Sequence, residues 1–142
     1  MRHATVFHCE AVAAVTTWIP PDGTIMSPDL DDELASWLRG ELRSQADVVL
    51  EAFERFEAAM PAGAYWYLGL FGTHPAHRGR GVGMALLREN LAMIDAAHAP
   101  AYLESTNPVN DARYEAVGFA EHGGFEMPDG GPRVRTMWRE PR

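Results

Sequence analysis

The stretch HPAHRGRGVG, His74 to Gly83, sets three glycines and two arginines within its last six residues and runs into an apolar, helix-patterned segment. Removing bulk while keeping positive charge suits an anion. The first N–H groups of a helix have no internal acceptor and sit at the positive end of its dipole, so a strand, a glycine turn and a helix together form a phosphate site. Gly79, Gly81 and Gly83 would let phosphate oxygens reach the backbone through Val82 and Met84. Arg78 and Arg80 would add charge-assisted contacts.

Two common phosphate motifs are excluded. A P-loop needs Lys followed by Ser or Thr after its last glycine, and here Met84 and Ala85 follow Gly83. The dinucleotide fingerprint counted from Gly79 would need glycine or alanine at Met84. His74 and His77 form an H-x-x-H pair, but two histidines without a nearby Cys or carboxylate make a poor metal site. They read as loop histidines, and no metal is expected. Cys9 is the single cysteine; no nucleophile context surrounds it, and it permits no intramolecular disulfide. Arg133 and Arg135 alternate along a strand and read as a solvated face, although with Arg139 they could form a phosphate patch.

The elements that must position these residues follow from pattern and punctuation. The chain has 142 residues, 46% hydrophobic and 23% charged, which suits one soluble α/β domain over residues 1–142. Two β-branched runs predict strands from His3 to His8 and from Ala11 to Ile19, stopped by PPDG at Pro20 to Gly23. Ser27, Pro28 and the following aspartates signal a helix start, with Leu34, Trp37, Leu38 and Leu42 at helical spacing. A second helix from about Ser44 carries Val49, Phe53, Phe56 and Met60 on one side. Both stripes read as core.

Tyr65 to Thr73 predicts a strand, with Gly69 and Gly72 marking a bulge or close backbone approach. The helix from Gly81 to about His98 buries Leu86, Leu87, Leu91, Met93 and Ile94 and turns Arg88, Glu89 and Asp95 outward. Ala101 to Ser105 is the next strand, followed by a short helix ending at Gly118. Two final strands form a hairpin through Pro128 to Pro132. The order β-β-α-α-β-α-β-α-β-β predicts a mixed sheet.

The net charge of -8, from 12 basic and 20 acidic residues, argues against nucleic-acid binding and favours cationic or amine ligands. The chain starts with no secretory pattern and holds no run near the ~20 apolar residues of a membrane span. With the lone cysteine, this predicts a cytoplasmic protein without membrane partners.

The pattern Arg78-x-x-Gly81-x-Gly83 between a bulged strand and a long helix resembles the coenzyme A pyrophosphate motif of the GNAT superfamily of acyl-CoA-dependent N-acetyltransferases. YLEST, ARYEAVGF and the C-terminal hairpin extend the resemblance over most of the chain. AVTTWIPP, the helical insert before YWYLGL, and GGPRVRTMWREP resemble the subgroup containing puromycin N-acetyltransferase. The resemblance implies a GNAT-like fold with a splayed central sheet. Family members carry a strand and one or two helices before the hairpin that opens this chain, so it also implies an abbreviated N-terminal part.

Acetyl-CoA is then the expected cosubstrate, and a small-molecule amine the expected acceptor. A bulge at Gly69 to Gly72 would splay that strand from Ala101 to Ser105, and a pantetheine arm could bond to the strand along Phe71, Gly72 and Thr73. By the family match, Tyr114 protonates the leaving thiolate, and Asn110 contacts the pantetheine arm or a water. Glu104 ends a strand facing this cleft. It could deprotonate the amine, bind a positive acceptor or pair with an arginine. A domain that holds acyl-CoA without turnover would show the same motif. So would a structural domain whose glycine turn is only a connection. The exposed hairpins would suit a homodimer. The acceptor class is open among antibiotics, polyamines, amino acids and protein amino groups.

Overall fold

Short β-branched and aromatic runs pair here into one six-stranded mixed sheet, and the longer amphipathic segments cover it. The structure, a computed structural model, describes residues 5–25 and 27–142. The strands are β1 (Thr5–His8), β2 (Ala14–Ile19), β3 (Trp66–Thr73), β4 (Ala101–Ser105), β5 (Ala120–Glu126) and β6 (Arg133–Arg139). The helices are α1 (Pro28–Leu42), α2 (Ala46–Ala59), α3 (Val82–Ala96) and α4 (Asp111–Glu115). The sheet order is β1-β2-β3-β4-β6-β5, with β3 and β4 parallel and every other pair antiparallel. The expected mixed α/β architecture and element order are therefore present.

Strand alternation gives the sheet two faces. On one, Trp18, Leu68, Leu103 and Met137 pack against Leu87, Leu91 and Ile94 of α3 and against Tyr114 and Val117. Asn90 of α3 is buried in that layer and accepts hydrogen bonds from Thr16 Oγ1 at 2.6 Å and Trp18 Nε1 at 3.1 Å. The other face carries Tyr102, Glu104 and Trp138. There α2 lies across the sheet: Phe56 meets Phe125 edge-on at 5.0 Å, and Tyr102 Oη donates to the Ala59 carbonyl.

Several expectations change. β2 begins at Ala14 rather than Ala11, because Ala11 and Val12 turn through positive φ in a 3-10 segment over Glu10–Val12. His3 lies outside the described residues. Ser27 makes no side-chain capping bond. Trp37, Phe53 and Met93 are exposed rather than core; Leu38 is buried as expected, and the insert also buries Ala46 and Ala52. Asp95 does not point away from the sheet: its two oxygens accept from Arg139 Nη1 and Nη2 at 2.6 and 2.7 Å. Arg139 is therefore a buried clamp between α3 and β6, with its Nε on the Val117 carbonyl. Arg135 is ion-paired to Asp111, Glu115 and Glu121 rather than a free solvated cation.

Candidate active site

The cleft begins where β3 and β4 part. Their parallel pairing holds only at Trp66–Ala101 and Tyr67–Tyr102. Beyond it β3 bulges: Thr17 pairs with Leu70 and Trp18 with Leu68, which leaves Gly69 as the extra residue. Gly72 lies in regular pairing with Val15. The bulge tilts the end of β3 away from β4 and leaves a gap between the strands.

One end of the gap opens into a cavity of about 640 Å³ at the start of α3. Phe71, Gly72 and Thr73 form its strand wall, and Arg78, Gly79, Gly81, Val82, Gly83 and Met84 form its floor. Gly79 and Gly81 have φ of +76 and +77, with nothing within 4 Å of where a Cβ would stand. Here glycine satisfies a left-handed turn and keeps the cavity mouth clear. Gly83 differs: a Cβ there would collide with Thr73 Oγ1 and reach 3.1 Å from Phe71 Cζ. Its absence lets α3 start against β3. The first helical bond runs from Ala85 N–H to the Gly81 carbonyl, so the N–H groups of Val82, Gly83 and Met84 precede the helix ladder. Gly81 gives them no side-chain cap. This is a phosphate cradle at the positive end of a 15-residue helix. Arg78 borders it while its Nε bonds the Thr73 carbonyl at 3.3 Å. Arg80 does not line the cavity, contrary to expectation: it follows Gly79 in the exposed turn.

The other end of the gap is a cavity of about 330 Å³ on the α2 side, bordered by Tyr67, Leu70 and Glu104. Phe71, Asn107, Asn110 and Tyr114 border both cavities and join them into one cleft. The short helix α4 that carries Tyr114 is fixed to β4 by Ser105 Oγ, which donates to Asp111 Oδ1 at 2.6 Å. Asn107 rather than Asn110 caps the preceding turn, accepting from Val109 N–H. Asn110 Oδ1 accepts from Arg113 Nη1. Gly118, at φ +100, ends this helix as expected.

Three ionisable groups that border the cleft, Tyr114, Glu104 and Tyr67, are shifted. Burial and then the nearby Asp111 charge raise the Tyr114 phenol above its ordinary 10.0, so it stays protonated. Its hydroxyl makes no hydrogen bond to the described residues, and the ring rests against Phe71 and Phe119. Burial also raises Glu104 above its ordinary 4.5, opposed by the hydroxyls of Tyr67 and Tyr102. Those two phenols are pushed far upward by burial and by Glu104. Glu104 Oε1 is buried without a hydrogen-bond partner among the described residues. The cleft thus sets a basic carboxylate and a protonated phenol beside one gap in the sheet.

Sequence reasoning did not select His77, Asn107 and Arg113 for the phosphate end, or Phe56 and Tyr67 for the other. The ring of His77 borders the cradle, while His74 Nδ1 accepts from Ala76 N–H in the same turn. The described residues contain no group of three or more His, Cys, Asp or Glu side chains placed to hold a metal. No helix among them is long and apolar enough to cross a membrane.

The sequence profile of the acetyltransferase (GNAT) family matches residues 5–120. The chain belongs to the GNAT family. Its fold agrees with solved GNAT-fold structures. One from Corynebacterium glutamicum, described as histone acetyltransferase HPA2 and related acetyltransferase, superposes with a TM-score of 0.65 at 21% identity, covering 98% of this chain and 65% of that one. Naa20 of Chaetomium thermophilum, solved with a bisubstrate analogue, gives 0.56 at 14% identity over 96% of this chain and 65% of that one. A GCN5-related N-acetyltransferase from Kribbella flavida gives 0.52 at 18% identity over 91% and 60%. The chain thus spans about two thirds or less of the length of these GNAT structures.

Proposed function

We propose that this GNAT protein transfers an acetyl group from acetyl-CoA to a primary amine of a small molecule. The carrying observation is the single cleft that links an uncapped helix N-terminus to Tyr114 and Glu104 through a gap in the sheet. The cradle fits a diphosphate: open positive-φ glycines, free N–H groups of Val82 to Met84, and Arg78 at its rim. The strand wall of Phe71 to Thr73 fits the extended pantetheine arm, with Asn110 beside it. Acetyl-CoA supplies the activated acyl carbon as a thioester.

Glu104 takes a proton from the incoming ammonium, which frees the nitrogen lone pair to form the C–N bond. Tyr114 donates its proton to sulfur as the C–S bond breaks and is reprotonated by the proton that the new amide nitrogen loses. One proton leaves to solvent in the net reaction. No metal takes part in this scheme. The α1–α2 insert, which places Phe56 over the acceptor end, supports a small-molecule acceptor and the puromycin N-acetyltransferase-like subgroup. The single cysteine supports a reducing, cytoplasmic setting.

The test is a melting curve with and without saturating acetyl-CoA, followed by thiol release with a panel of amines. Ligand at about 100 times its Kd stabilises by ~2.7 kcal/mol, a shift on the order of 5–10 °C for this size. Gly81→Glu should lose the shift. Tyr114→Phe should keep it and lose about 100-fold in turnover. No shift with the well-folded protein overturns the reading.

A further inference from the structure

The acceptor end of the cleft has a composition that acetyl transfer alone does not require. Glu104 is the only charged side chain bordering it among the described residues. Apolar and aromatic residues, Phe56, Tyr67, Leu68, Leu70 and Phe71, make up one part of the wall of this cavity of about 330 Å³, and the uncharged polar residues Ser105, Thr106, Asn107 and Asn110 make up another. Behind Glu104 the rings continue: Tyr67 and Tyr102 lie 5.8 Å apart, and Tyr65 sits 5.5 Å from both Tyr102 and Trp138. The hydroxyls of Tyr67 and Tyr102 face the Glu104 carboxylate, but no cationic group among the described residues borders the cavity to pair with it. A largely buried carboxylate that borders a cavity without a cationic partner favours a positively charged donor from a ligand. Aromatic faces around it favour that donor being a cation.

We infer that the acceptor is a monocationic primary amine on an apolar or aryl body, with its nitrogen donating to the Glu104 carboxylate where it borders the cavity and its body lying beside Phe56 and Leu70. This rests on the acetyl-transfer reading. The same walls disfavour two neighbouring classes. An amino acid would place its α-carboxylate beside Glu104, with no Lys, Arg or His among the described residues bordering the cavity to neutralise it. A diamine would bring a second ammonium into a site with no second carboxylate among the described residues, and desolvation of that charge would go uncompensated. Hydroxyl or amide groups on the far end of the body are accommodated by Ser105, Thr106 and Asn107, which border the same cavity.

The experiment measures kcat/KM by thiol release at saturating acetyl-CoA for 2-phenylethylamine, phenylalanine and putrescine. The first two differ only by the α-carboxylate. 2-Phenylethylamine should lead phenylalanine on the order of 100-fold, from like-charge repulsion in a desolvated site, and should lead putrescine by at least ~10-fold. Phe56→Glu adds the missing second carboxylate and should reverse the order of 2-phenylethylamine and putrescine while the acetyl-CoA melting shift persists. Phe56→Leu keeps the wall apolar and should preserve the wild-type order. Phenylalanine or putrescine within about threefold of 2-phenylethylamine, or ahead of it, overturns the inference but leaves acetyl transfer standing. An absent acetyl-CoA shift, or turnover with no amine at all, overturns both.

Discussion

Gly83→Ala asks whether the contact between α3 and β3 is as tight as the structure draws it. Gly83 is buried in the first turn of α3, and its φ is not in the left-handed region, so alanine is conformationally free there. Helix propensity alone predicts a gain of about 1 kcal/mol. Against this, the new methyl meets Thr73 Oγ1 inside contact distance and the Phe71 ring at 3.1 and 3.2 Å. Thr73 is β-branched and stiff at χ1. Phe71 is also held by Tyr114 across the cleft, ring centres 6.5 Å apart. Overpacking of this kind costs ~1–3 kcal/mol. The net loss is then roughly 1 kcal/mol, a few degrees in Tm for this size. Binding should suffer more, because relief requires the start of α3 to move away from the strand that forms the opposite wall. Losing one charge-assisted bond to a phosphate is worth ~1.5–3 kcal/mol, or about 10- to 100-fold in Kd for acetyl-CoA. Calorimetric melting and titration read both quantities. Gly40→Ala is the control: Gly40 is exposed in α1 with nothing within 4 Å, and the variant should gain ~0.5–1 kcal/mol with unchanged affinity. If Gly83→Ala gains stability as Gly40→Ala does and binds acetyl-CoA like wild type, the close-contact reasoning is refuted.

Two further outcomes follow from the shifted carboxylates. Burial raises Glu104 above 4.5 against the hydrogen-bonding hydroxyls of Tyr67 and Tyr102. The folded state therefore holds its proton to higher pH than the unfolded chain, and stability falls as pH rises from 4.5 through the raised value. Glu104→Gln should raise Tm at neutral pH, with the gain vanishing below pH 4.5, while acetylation falls about 100-fold or more; an equal Tm difference at both pH values would contradict this. Asp95 shifts oppositely, held below 3.8 chiefly by its hydrogen bonds from Arg139. Its contribution is complete above 3.8 and is lost as pH falls through the lowered value. Asp95→Ala should cost ~3 kcal/mol in denaturant melts at neutral pH, because Arg139 is only 4% exposed and would keep its charge unpaired. The cost should shrink in acid.

Local rules carried the sheet and the cradle a long way. Ala101–Ser105 is the strand the residues predict, and the Gly69 bulge sits where a glycine within a strand said it would. Pattern failed where burial depends on a partner far along the chain. Trp37 and Phe53 follow helical spacing yet face solvent, while Leu38, Ala46 and Ala52 are the buried residues of the insert. Nothing in the spacing of Asp95 reveals Arg139, which is 44 positions later. The start of β2 was misplaced because alanine and valine give no signal of positive φ. The cradle was legible because glycine, arginine and helix start are contiguous. The aromatic surround of Glu104 was not, since Tyr67 and Tyr102 meet only through the parallel register of β3 and β4.

The position of β6 has a consequence for biosynthesis. It is last of the six strands in sequence, yet it fills the slot between β4 and β5, and β5 pairs with no other strand. A ribosome adds roughly 5–20 residues per second, so the emerging chain presents β4 with a bare edge and β5 with no neighbour until Arg133 to Arg139 follow. Only then does Arg139 reach Asp95 and lock α3 to the sheet. A nascent chain stalled before Arg133 would expose a sticky strand edge beside the very carboxylate that the finished fold shields from water, and chaperones would find their target there.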